Sequence, residues 1–173
     1  MASLGCNFDC ASQNEISAVL SIIGDAKRII YANPCKADSQ IKYARAKDVD
    51  LLVFDADYEL YKIKLRHSSA QLILRIQVDD SKSLCQFNSK FGCAMSDVDR
   101  LLSLANTLEL DVCGVSFHVG SGCKDCNVFE TAIHNAYNVF EMGKKYDYNM
   151  TILDIGGGFP GVNTSLLSMT DIS

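Results

Sequence analysis

The chain has 173 residues, 48% of them hydrophobic, enough for one domain with a sizeable core. Its formal net charge of -5 gives no electrostatic basis for binding nucleic acid, which needs a clustered excess of Lys and Arg. No apolar run approaches the roughly 20 residues of a membrane span, and Met1-Ala2-Ser3-Leu4-Gly5 lacks the charged and apolar regions of a signal peptide, so a cytoplasmic protein with no membrane partner is expected.

Taken in chain order, the first apolar run covers residues 8–11. Behind it Ser12-Gln13-Asn14-Glu15 forms a capping box, followed by a helical stripe of Ile16, Val19, Leu20 and Ile23. Further apolar runs cover residues 29–32, 51–54 and 72–78. Ser96-Asp97-Val98-Asp99 then opens a second helix with Val98, Leu101, Leu102, Ala105 and Leu108 on one face. After a run over 112–119, a third helix is predicted over about 128–144, with Phe129, Ala132, Ile133, Ala136 and Phe140 inward, and the last run covers 150–155. Continuous runs of this kind fit strands covered on both faces, as in a parallel sheet. No Pro/Gly/Ser-rich linker, low-complexity tract or internal repeat interrupts the pattern, and both prolines, Pro34 and Pro160, sit just after strands.

The eight cysteines include one C-x-x-C, Cys123 to Cys126, and no second pair at zinc-ribbon spacing. They read as reduced thiols, several packing as small hydrophobes, and no metal site is expected.

Alternating strands and helices in six units suit either an open doubly wound sheet or most of a (β/α)8 barrel. Periodicity alone does not choose between them. Polar residues, however, gather after the strands: Asp9, Asn33, Asp55, Arg75, His118 with Ser121, and Asp154 with a glycine run. A barrel brings all of these to one mouth, whereas an open sheet unites only those near its switch point. The prediction is an incomplete (β/α)8 barrel.

Gly156-Gly157-Gly158 directly follows the last apolar strand. Three glycines let backbone N–H groups approach an anion, although a tight turn leaving a buried strand explains them as well. His118-Val119-Gly120-Ser121-Gly122 is a second glycine-containing strand end, where the imidazole could lie against an aromatic cofactor while Ser121 and the glycine amides hold a phosphate. Asp9 and Arg75 are charged residues at the ends of apolar strands and could equally be solvated or ion-paired.

The strings Phe8-Asp9-Cys10-Ala11-Ser12, Tyr31-Ala32-Asn33-Pro34-Cys35-Lys36, Gln40-Ile41-Lys42-Tyr43-Ala44, Lys90-Phe91-Gly92, Gly114 through Gly122 and Leu153 through Gly161 resemble the eukaryotic ornithine decarboxylases, a group of fold-type III pyridoxal-phosphate enzymes, in order and spacing. The resemblance implies an alanine-racemase-like barrel in which a lysine holds pyridoxal 5'-phosphate and L-ornithine loses carbon dioxide to leave as putrescine, for polyamine biosynthesis. It implies catalytic roles for His118, stacked on the pyridine ring, and Asp9, and cofactor contacts from Ser121, Gly156, Gly157, Gly158, Arg75 and Glu15. It also implies a homodimer with Lys90 near its interface, and antizyme binding through residues 38–61, where Lys42, Arg45 and Lys47 could meet an acidic partner.

On the quoted strings, residues 1–161 read as a partial cofactor-binding barrel and 162–173 as a divergent tail. The family's cofactor lysine, in an Ala-Val-Lys-Cys-Asn string, its Glu-Pro-Gly-Arg string and its C-terminal β domain are not in this sequence, so the chain reads as a fragment that is inactive alone. Two alternatives stay open. An antizyme-inhibitor-like regulator would resemble the enzyme but lose cofactor contacts, and a diaminopimelate or arginine decarboxylase would share the His-x-Gly-Ser and glycine motifs.

Overall fold

In the computed structural model, the described residues are 1–79, 83, 90–123, 125–161 and 168–172. Six strands alternate with helices: β1 (Phe8–Cys10), α1 (Gln13–Ile23), β2 (Ile29–Tyr31), α2 (Asp38–Ala46), β3 (Leu51–Phe54), α3 (Asp57–Arg66), β4 (Gln71–Arg75), α4 (Val98–Thr107), β5 (Asp111–Ser116), α5 (Asn127–Gly143), β6 (Ile152–Asp154) and a short α6 (Met169–Ile172). All described pairings are parallel and the order is sequential, β1 to β6. A doubly wound sheet would return to its centre and break that order. The strands instead curl into a half-barrel, as expected from the placing of the polar residues.

Every residue of β2 is buried, which is why its apolar pattern is continuous and not alternating. One face packs on the helices through the large core that includes Tyr31, Leu52, Leu72 and Val112, while the inner face carries a small cluster of Ile30, Val53, Ile73 and Cys113. A bulge on β5 sets Leu72 opposite Val112 but Ile73 opposite Gly114. Gly114 is needed there, because a Cβ would lie 2.4 Å from the Ile152 carbonyl oxygen. Beyond the bulge the register places Arg75 opposite Ser116 and Ser116 opposite Asp154, a polar row across three strands at the C-terminal mouth.

Ser12 caps α1 by accepting from the Glu15 amide at 3.3 Å, while the Glu15 carboxylate reaches the Ala11 amide, one residue beyond the capping-box partner. Ser96 does not cap α4; a short 3-10 turn over Met95–Asp97 leads into that helix. On α5 the expected inward position of Ile133 is corrected. Ile133 is 48% exposed, and Phe129, Ala132, Ala136 and Val139 form the buried stripe, whose spacing of three and four follows the helical period.

A buried ion pair ties the second and third units together. Lys36 Nζ donates to Glu59 Oε1 at 2.8 Å and to the carbonyls of Asn33 at 3.0 Å and Val53 at 2.6 Å, and Lys62 holds the other Glu59 oxygen at 2.6 Å. All three ammonium protons of Lys36 are thereby used, which is what a fully buried charge requires. The network fixes the turn after β2 against the end of β3. Among the described residues no helix is long and apolar enough to cross a membrane.

Candidate functional site

The C-terminal ends of the strands surround a cavity of about 310 Å³, whose polar lining is Asp9, Asn33, Arg75, Ser116, His118 and Asp154, with Gly156 at its edge. The polar groups arrive from five of the strands or the turns after them, Ser116 and His118 both from β5 and its turn, as expected where parallel strands point their ends to one mouth. Pro34 and Phe91 complete the wall. The Arg75 guanidinium lies 5.2 Å from the centre of the Phe91 ring, a cation–π distance.

Phe91 is held in place through its neighbours. The Gly92 amide donates to Asp55 Oδ2 at 2.7 Å, and Cys93 bridges the end of β4 through Cys93 N to Arg75 O and Gln77 N to Cys93 O, each 2.9 Å. Gly92 has φ +91°, and a Cβ there would stand 2.8 Å from the Gln77 nitrogen, so only glycine fits.

The two glycine-bearing turns pack against each other. Gly157 N donates to His118 Nδ1 at 2.9 Å and Gly156 N to Asp154 Oδ1 at 2.8 Å. Two of the three amides read as an anion cup are therefore engaged within the protein. A Cβ on Gly156 would meet the Phe117 carbonyl oxygen at 2.3 Å, and one on Gly158 would meet Val119 Cγ2 at 2.4 Å. These glycines are set first by the close approach of two chain segments. Ser121 sits on an exposed turn outside the cavity lining.

Charge is concentrated in this mouth. Burial and then the nearby Asp154 push the Asp9 carboxyl above its ordinary range. Burial lowers the Arg75 guanidinium, opposed by the charges of Asp55 and Asp154, and raises Asp55 against the Gly92 hydrogen bond and Arg75. Two carboxylates facing one cavity favour a ligand that carries positive charge as well as negative.

Of the residues singled out from sequence, Asp9, Arg75, His118 and Gly156 come together in the cavity lining. Gly157 reaches it through His118, and Glu15 through the Ala11 amide, since Ala11 lines the cavity. Gly158 packs on the neighbouring turn, and Lys90 is exposed beside Phe91. Ser116 and Phe91 were not read as site residues. Ser116 lies inside an apolar strand, and its signal is only that it falls two positions before His118, on the same side of β5.

The family model of the pyridoxal-dependent decarboxylases, in its pyridoxal binding domain, matches residues 1–171. The chain belongs to this family. The match continues past Gly161 into the segment read as a divergent tail. Antizyme inhibitor 2 of Xenopus laevis is 48% identical and ornithine decarboxylase of Rattus norvegicus 47% identical, each over 173 residues covering 100% of this chain. The chain spans 38% of the length of these relatives. Among solved structures, the arginine decarboxylase of Paramecium bursaria Chlorella virus superposes with a TM-score of 0.93 at 35% identity, over 99% of this chain and 46% of that one. Thus a pyridoxal-dependent decarboxylase domain has the cavity where barrel enzymes carry their sites.

Proposed function

We propose that this chain forms the cofactor-binding part of an ornithine decarboxylase, which converts L-ornithine to putrescine with pyridoxal 5'-phosphate. The observation that carries the reading is the convergence of Asp9, Arg75, His118 and Asp154 on one cavity at the barrel mouth. The residues fit such a cofactor. His118 offers a flat ring fixed by the Gly157 amide, and Ser116 presents a buried hydroxyl with no partner among the described residues. When bound, the cofactor supplies an electron sink that makes loss of carbon dioxide possible.

In this reading His118 supports the ring from one face, with its Nδ1 accepting from the Gly157 amide. Asp9 and Arg75 set the charge beside the reacting group. Ser121 and the turn amides not engaged within the protein hold the phosphate, while Gly156 and Gly157, whose amides serve Asp154 and His118, let the turn approach it. Glu15 supports the site by fixing Ala11. In this reading the isolated chain is expected to release no carbon dioxide from ornithine.

The wider family relations are proposed on the same footing: a homodimer with Lys90 near its interface, and antizyme bound through residues 38–61. Lys42, Arg45 and Lys47 are exposed along and just after α2, which suits an acidic partner. The seven described cysteines are free thiols, which suits a reducing cytoplasm.

The similarity to an antizyme inhibitor supports a second reading, regulation without catalysis, because its identity of 48% is as high as the enzyme's 47%. The intact Asp9, Arg75 and Gly-Ser-Gly turn favour the enzyme. The test is to exchange the 173 aligned residues of the rat enzyme for this chain and measure putrescine formed from ornithine, with arginine and lysine as rival substrates. Turnover of ornithine supports the reading. A folded dimer that binds antizyme but is inert would establish the regulatory one, and preference for arginine or lysine would reassign the substrate.

A further inference from the structure

We infer that Ser116 is a further cofactor contact, whose hydroxyl donates a hydrogen bond to the anionic ring oxygen of the pyridoxal group. The inference rests on the cofactor reading above. Ser116 is 4% exposed, lines the cavity, and its Oγ has no hydrogen-bond partner among the described residues. Its backbone is fully occupied in the sheet, with the carbonyl accepting from the Ile76 amide at 2.9 Å. Only the side chain is unsatisfied. A buried hydroxyl in that state lowers stability, and native proteins keep one where a bound group completes it.

The position identifies that group. Ser116 closes β5 and His118 follows two residues later along the chain, roughly 7 Å nearer the mouth, and both line the cavity. A flat ring resting on His118 therefore meets Ser116 with its edge and not its face. With its phosphate arm toward the glycine turns, the cofactor would leave the ring oxygen and the ring nitrogen for the deeper side. Arg75 stands in register with Ser116 on the neighbouring strand and brings positive charge to this row. That environment suits an anionic oxygen. A protonated ring nitrogen is itself a donor and cannot accept from the hydroxyl. Asp154, in register on the other side of Ser116, is already bonded to the Gly156 amide.

The experiment titrates the exchanged rat enzyme and its Ser116→Ala and Ser116→Thr variants with pyridoxal 5'-phosphate and with its 3-deoxy analogue, read by absorbance, beside thermal melts without cofactor. Ser116→Ala is expected to bind pyridoxal phosphate about ten- to hundred-fold more weakly, the worth of a hydrogen bond to a charged group. It should match the parent with the 3-deoxy analogue, while Ser116→Thr keeps tight binding. Without cofactor, Ser116→Ala should melt at the same temperature or higher, since it removes a hydroxyl that nothing satisfies. Unchanged affinity for pyridoxal phosphate overturns the inference. Equal weakening with both ligands overturns the assignment to the ring oxygen, and a lower melting temperature without cofactor shows a structural role instead. If the parent exchanged enzyme binds neither ligand, the cofactor reading itself falls.

Discussion

The backbone amide of Gly157 donates a hydrogen bond of 2.9 Å to Nδ1 of His118, joining the two strand-end turns that frame the cavity. The geometry assigns the imidazole proton to Nε2 and fixes the plane of the ring. Gly157→Ala would place a Cβ 3.0 Å from His118 Cε1, so the ring must give by a few tenths of an ångström. In the exchanged rat enzyme this variant should bind cofactor several-fold more weakly, about 1 kcal/mol. His118→Ala should lower turnover more than cofactor affinity, because the ring supports the reacting system and not the phosphate anchor. Cofactor titration beside steady-state turnover separates the two.

Asp9 gives a prediction with a sign. Burial and Asp154 raise its carboxyl above the ordinary value of 3.8. For a group raised on folding, the favourable contribution is complete below the unfolded value and is lost as pH rises through the folded one. At pH 7, therefore, the ionised Asp9 weakens the cofactor-free protein. Asp9→Asn should melt higher than the parent at neutral pH, and the gain should vanish as pH falls below about 3.8. A melt series across pH 3 to 8 checks this, and a constant difference at every pH would contradict it.

Lys36→Met removes one partner of a buried pair and leaves Glu59 with only Lys62 for its charge. Breaking a buried pair in this way costs about 3–5 kcal/mol, and in a chain of this size about 1 kcal/mol moves the melting temperature by roughly 2–4 °C. A drop of about 10 °C is expected in a thermal melt. Because Lys36 also holds the Asn33 and Val53 carbonyls, hydrogen exchange should speed up in the turn after β2 before it does elsewhere.

Much of the fold could be read before the structure because β2 and β3 are covered on both faces, and their unbroken apolar runs have no other simple explanation. α2 and α3 are harder to read. The first buries only Ile41 and Ala44, and the second buries Glu59 beside Leu60 and Ile63, so an ion pair across 23 residues replaces part of the apolar stripe. Ile133 was misplaced for a related reason, since Val139 extends the same period and burial alone decides between them. In the site, Asp9, Arg75 and His118 were legible as polar groups at strand ends. Ser116 looks like strand interior, and the placing of Phe91 depends on the contact of Gly92 with Asp55, which no local pattern reveals. The glycine turn illustrates the converse, because its motif suggested amides aimed at an anion while two of them serve Asp154 and His118.

The most direct test of the cofactor assignment is to pass the exchanged rat enzyme and a triple variant of it, Asp9→Ala with Arg75→Ala and His118→Ala, through gel filtration and read the pyridoxal absorbance that elutes with the protein. The parent is expected to retain the cofactor and the triple variant, still a folded dimer, to lose it. Equal retention by the two would show that the cofactor is held elsewhere and that this cavity is not its site.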